Sequence, residues 1–296
     1  MTVLPLLALY LALAGWGAPW LLASSSWAVR APRTAMVTWA ALVLSFAAAV
    51  VMVVHAVSEP GHLRERPGRW LAWASAASPA EGAAGHDQAL LLGSLAVMAV
   101  ASVVGAGWVR AARIRARHRA VLAVASRQDA ENDWCVVEDN RPAVWCVPGC
   151  GGQVVLTRGA LQRLAPAHRE AVVAHERAHL AGRHHLCVGA AKALGSAFSW
   201  LPLARRMAQQ VPVLAEMAAD DAALRHCTPR VLAEALCIVA GGGTPSGTLA
   251  AGSQAAVQRV HRLLQPTGPL PFAVRGAWWA ALAVLPVVPV LLACGP

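Results

Sequence analysis

Residues 170–186 read EAVVAHERAHLAGRHHL and hold four of the chain's eleven histidines. His175 and His179 stand four apart with Glu176 after the first, the form H-E-x-x-H. On a helix, residues four apart share a face one turn apart, so both imidazoles can reach one ion. Val172, Val173, Ala174, Ala178 and Leu180 supply an apolar helix surface independently of the histidines. Two imidazoles and a third donor suit Zn²⁺, which in catalytic sites keeps one position open for water. Glu176 falls to the side of such an ion, where a carboxylate can take a proton from water.

The third donor must come from another helix. The segment AEMAADDAAL offers Glu216, with Asp220 one turn later. Val213, Leu214, Met217, Ala218 and Ala219 mark this stretch as buried, and burying a carboxylate is costly unless it is paired or binds a metal. Asp220 suits a hydrogen bond from a ligand imidazole, which would fix the ring's orientation. The alternative is a solvated acidic helix face. Arg225 and His226 are candidate oxyanion stabilisers, each equally readable as structural. His184 and His185 follow Gly182 and are expected to end the helix, and His168 and His261 are expected at the surface.

These residues sit in an unusually apolar chain. Hydrophobic residues make up 57% and charged residues only 14%, against about a quarter charged in ordinary soluble domains. The cause is four apolar runs, at about 3–23, 35–57, 89–109 and 277–293. About twenty apolar residues cross a bilayer core. The first run has no Lys or Arg before it and is long for a signal segment, so it reads as a retained anchor. Residues 1–109 thus read as a three-span membrane anchor, 110–275 as the zinc domain, and 276–296 as a fourth span with a short tail.

The net charge of +10 is unevenly placed. Arg110, Arg113, Arg115, Arg117 and Arg119 follow the third run, and Arg30 and Arg33 fill the loop after the first. In the 58–88 loop, arginines are diluted by Glu59, Glu65, Glu81 and Asp87. The positive-inside rule then puts the zinc domain in the cytoplasm and both termini outside. Beside a span, the arginine stripe reads as orientation and anionic-lipid contact; direct nucleic-acid binding is not expected.

Between the spans, PAVWCVPG and GQVVLT read as a β-hairpin over 143–157, which offers an edge strand as readily as a plain structural turn. RGALQRLAP, AHREAVVAHERAHLAG, LCVGAAKALGSAFSWL, VLAEMAADDAALRH, RVLAEALCIVA and QAAVQRVHRLLQP read as helices, with a flexible loop at GGGTPSGTLAAGS. Seven cysteines show no paired finger spacing, and those in the cytoplasmic segment read as ordinary thiols.

AHERAHL followed by EMAADDAAL resembles the gluzincin pattern H-E-x-x-H … E-x-x-x-D. Two membrane groups carry it: the HtpX and CAAX-prenyl endopeptidases, and the BlaR/MecR-type metallopeptidases of family fifty-six. The chain resembles the second more closely, through its span count and the segments GGQVVLTRGALQRL and FSWLPLARRMAQQ. That resemblance implies a mainly α membrane protein with four transmembrane helices and a cytoplasmic α+β zincin-like domain between spans three and four. It implies a bacterial-type plasma-membrane zinc endopeptidase, with His175, His179 and Glu216 as ligands and Glu176 as base. The substrate would be a cytoplasmic protein such as a transcriptional repressor, cut in regulated proteolysis. The outer penicillin-binding domain of antibiotic-sensing relatives has no counterpart before Pro296, so β-lactam sensing is not carried over. Two alternatives stand beside this reading: an HtpX-type quality-control protease, and a non-catalytic signalling protein with a structural zinc site. The oligomeric state is not legible.

Overall fold

The computed structural model describes residues 3–58, 83–129, 133–149, 152–241, 249–265, 268 and 270–294. Most of the 58–88 loop, the hairpin tip at Cys150, most of the Gly-rich loop and the last two residues lie outside them.

The first apolar run is α1 (Val3–Ala12), a π-helical turn (Leu13–Gly17) and α2 (Ala18–Ser24). The Ala18 N–H bonds Leu13 O, five residues back, and Pro19 next to it has no N–H to continue the α pattern. A short α3 (Ser26–Arg30) leads into α4 (Pro32–Ser58). Val3–Ser24 and Pro32–Val57 are long and apolar enough to cross a membrane. Tyr10 donates to Ser45 Oγ (2.5 Å), which donates to Leu285 O (2.5 Å), tying the first two runs to the last.

The third run is not a helix by itself. It is part of α5 (Ala83–Ala125), one continuous helix of 43 residues that also carries the arginine stripe. The fourth expected span is also not a single helix. It is α12 (Phe272–Val284) and α13 (Val288–Cys294), which the structure gives as two helices. Pro286 and Pro289 lack the N–H groups that would carry one helix through.

After α5 come β1 (Ser126–Gln128), β2 (Cys135–Val137), β3 (Val144–Val147) and β4 (Gln153–Thr157). The sheet order is β1-β2-β4-β3, with β2 parallel to β4 and the other pairs antiparallel. The β3–β4 pair is the expected hairpin, with Val144 opposite Leu156 and Val147 opposite Gln153. β3 is an edge strand.

The helices α6 (Arg158–Arg163), α7 (Pro166–Ala181), α8 (His184–Ala197), α9 (Pro202–Ala223), α10 (Pro229–Ala240) and α11 (Leu249–Leu264) follow. α9 starts well before the expected Val213 and runs through Pro212. Leu203, Met207, Val211 and Leu214 of α9 share one core with Ala14, Leu22, Trp39 and Leu42 of the apolar runs. A second core joins Ala171 of α7, Ala223 of α9, Leu232 of α10 and Leu263 of α11. α9 therefore belongs to both cores.

Candidate metal centre

α7 starts at Pro166, whose fixed φ suits a first helical position, and ends at Gly182. Ala171, Val172 and Val173 bury its apolar side. His175 is buried, and His179 projects one turn on from the same face. α9 approaches closely because Ala215, Ala218, Ala219 and Ala223 keep its packed side narrow, each 0–1% exposed. That approach delivers Glu216 and Asp220 to the imidazoles.

The three donors form a nearly regular triangle. His175 Nε2 and His179 Nε2 are 3.1 Å apart. Glu216 lies 3.4 Å from each, through Oε2 and Oε1. Donors at about 2.0–2.1 Å from a tetrahedral zinc are about 3.3–3.4 Å apart, so the donor set fits that ion. Among the described residues no fourth His, Cys or carboxylate joins the group.

Each imidazole is backed by another polar side chain. His175 Nδ1 lies 3.0 Å from Asp220 Oδ1. His179 Nδ1 lies 3.1 Å from His184 Nδ1. Burial, then the neighbouring His179 and Arg33, brings the His184 pKa down to about 4, so its ring is neutral and can accept from His179. Burial alone would lower the His175 pKa, but the Asp220 and Glu216 carboxylates beside it raise it to about 9.

Both carboxylates are clamped by Arg259 of α11. Its Nε and Nη2 donate to the two oxygens of Asp220 at 2.8 and 2.7 Å. Its Nη1 reaches Glu216 Oε2 at 2.8 Å. Burial pushes the Asp220 carboxyl up, and the bonds from Arg259 and His175 outweigh it and hold the group ionised. Burial also acts against ionised Glu216, where bonds from His175 and His179 and the charge of Arg259 prevail.

Glu176 has a different environment. Burial pushes its carboxyl pKa up, only partly offset by the His175 charge and a hydrogen bond from the Cys146 thiol. Burial, then the Glu176 charge, pushes the Cys146 thiol up, so it stays protonated. The Glu176 shift is thus opposite in direction to those of Glu216 and Asp220.

Residues 109–237 match the family model of peptidase family M48. The match runs from the end of the third apolar run through the sheet, α7 and α9 into α10, and it supports a zinc metallopeptidase. It does not favour the BlaR/MecR type expected from span count; family M48 includes the HtpX-like proteases. No curated protein and no solved structure matches the chain.

Outside the triangle, several expectations change. His184 and His185 do not end the helix: they open α8, and His184 is buried. Arg183 takes the left-handed conformation (φ 48°), which turns the chain back. At Gly182 a Cβ would collide with the His184 ring, so glycine permits that return. Arg225 and His226 are exposed and line a cavity of about 1010 Å³ with Glu170, Ala174 and Arg177. At about 100° per residue, that side of α7 faces away from His175 and His179. No described contact brings Arg225 or His226 to the three donors. His168 is half-buried and pairs with Glu234 of α10 at 3.2 Å, while His261 is exposed.

Arg259, Cys146 and His184 are the residues that reading the sequence misses. Arg259 had a signal: it stands four before Leu263, which is 2% exposed, so it shares the buried stripe of α11. It lies beyond the residues matched by the M48 model.

Proposed function

We propose that the chain is an integral-membrane zinc endopeptidase that hydrolyses peptide bonds of a cytoplasmic protein. The observation that carries this reading is the His175–His179–Glu216 triangle, with no fourth such donor among the described residues and Glu176 on the helix of the two histidines. The M48 match supports it. A structural zinc site would normally be closed by a fourth Cys or His.

His175, His179 and Glu216 would hold the ion. Zinc there supplies Lewis acidity toward a peptide carbonyl and makes water acidic enough to deprotonate near neutral pH. Glu176 takes the proton from the attacking water on a carboxylate oxygen and delivers it to the leaving amine. Its raised pKa lets one group do both. Asp220 and His184 set the ring orientation of His175 and His179, and Arg259 keeps Asp220 and Glu216 ionised.

The membrane arrangement follows from charge. Runs 3–23, 35–57 and 89–109 cross the bilayer, and the α12–α13 pair returns to it. The arginines at 30, 33 and 110–119 keep 110–275 in the cytoplasm and both termini outside. Two apolar N-terminal helices of spanning length support membrane association.

The substrate is a cytoplasmic protein. A repressor cut in regulated proteolysis is one form of this reading. Quality-control proteolysis of the HtpX type is the other, and it fits the M48 match at least as well. Trapping with Glu176→Gln in native membranes separates them, by retaining one dominant partner or a mixed set. The same variant tests the enzyme itself. Hydrolysis should fall about 10²–10⁴-fold while elemental analysis still finds one zinc per chain. Undiminished cleavage would exclude Glu176 as the base.

A further inference from the structure

Where the π turn meets the start of α9, Trp16, Trp20 and Leu21 face Arg205 and Arg206 across a groove of about 470 Å³. The aromatic side is open: Trp16, Trp20 and Leu21 are 50%, 58% and 61% exposed. Among the described residues no carboxylate lines the groove and neither guanidinium has an ion-pair partner.

The groove is held in place by packing. Leu201 and Leu203, at the start of α9, are 6% and 1% exposed. A Cβ on Gly15 would lie 3.0 Å from Phe46 and 3.3 Å from Leu201, so the apolar run and the start of α9 are in close contact. The two arginines are therefore fixed beside the run.

Their depth follows from the helix rise. Trp20 lies four residues before Ser24, where the run ends, or about 6 Å along the axis. That is the interfacial zone in which tryptophan concentrates. Trp200, 68% exposed at the turn before α9, adds a third ring there. Guanidinium groups at this level need an anionic partner. Phosphate matches the planar fork of arginine. An anion alone would leave the tryptophan wall unused, whereas an acyl chain would cover it.

We propose that this groove binds an anionic phospholipid of the inner leaflet. Arg205 and Arg206 hold its phosphate, and its acyl chains lie along Trp16, Trp20 and Leu21. The inference rests on the membrane reading above. Its consequence concerns α9, because the helix gripped by the headgroup at its start also carries Glu216.

The test uses the full-length protein in mild detergent, with the melting temperature followed during lipid titration. Dioctanoyl phosphatidylglycerol should raise Tm saturably, while phosphatidylcholine of the same chains and inorganic phosphate should not. In Arg205→Gln/Arg206→Gln the apparent affinity for phosphatidylglycerol should fall about tenfold or more. If the double variant does not fold, exposed Arg205→Gln alone carries the comparison, with a smaller fall expected. Equal shifts from both lipids, or full phosphatidylglycerol response in the variant, would overturn the site. An equal shift from inorganic phosphate would reassign it to a free anion and overturn the lipid assignment. Flotation with neutral vesicles separates the two readings. A chain that fails to float loses the membrane reading, and one that floats without headgroup preference loses only the lipid site.

Discussion

Arg259 and the Arg205–Arg206 pair are the same side chain placed in two different surroundings. Arg259 is 12% exposed and contacts two carboxylates at 2.7 to 2.8 Å. Arg205 and Arg206 face tryptophan and leucine and have no carboxylate partner among the described residues. Inside the protein, a buried guanidinium must bring its counter-charge within the fold, because stripping it of water costs several kcal/mol. At the edge of a bilayer the counter-charge can come from lipid. The difference shows what each arginine is for. Arg259 organises groups the chain already owns, and the other two await a group it does not own.

Replacing Arg259 should expose that difference most strongly. Arg259→Met takes the guanidinium from Asp220 and Glu216, and the loss of stability should reach about 3–5 kcal/mol in a denaturation series. A loss under about 1 kcal/mol would mean that the clamp is as loosely held as a surface pair. Next in size is Asp220→Asn, which should weaken zinc binding about 10–100-fold in chelator competition. Unchanged affinity would remove Asp220 as the group that orients His175. The smallest effect is expected at Arg205→Gln in detergent without anionic lipid, within about 0.5 kcal/mol of the parent. A larger loss would reveal a protein partner for Arg205 and erase the contrast with Arg259.

The parts of this architecture readable from sequence were local ones. Gly182 ends α7, and the apolar runs VWCV and QVVLT on either side of Cys150-Gly151 yield the β3–β4 hairpin. β1 and β2 are three residues each, too short to show a period of two. Pro212 reads as a breaker, yet α9 runs through it, since packing against the apolar runs outweighs one missing hydrogen bond. The reverse happens at Pro286, where an apolar run that reads as one span is two helices. Span count drew the family reading toward the BlaR/MecR type, and the match to M48 came from the zinc-domain segment instead.

The sequence alone determined that two imidazoles share a face with Glu176 beside them, because helix period is a property of neighbours along the chain. It also determined that the chain is too apolar for an ordinary soluble domain. Only the tertiary structure decided which groups surround that face. Arg259 meets Asp220 across 39 positions and His175 across 84. His184 folds back onto His179 through a left-handed residue. Such meetings depend on how alanine-lined helices close on one another, and no local periodicity records that distance.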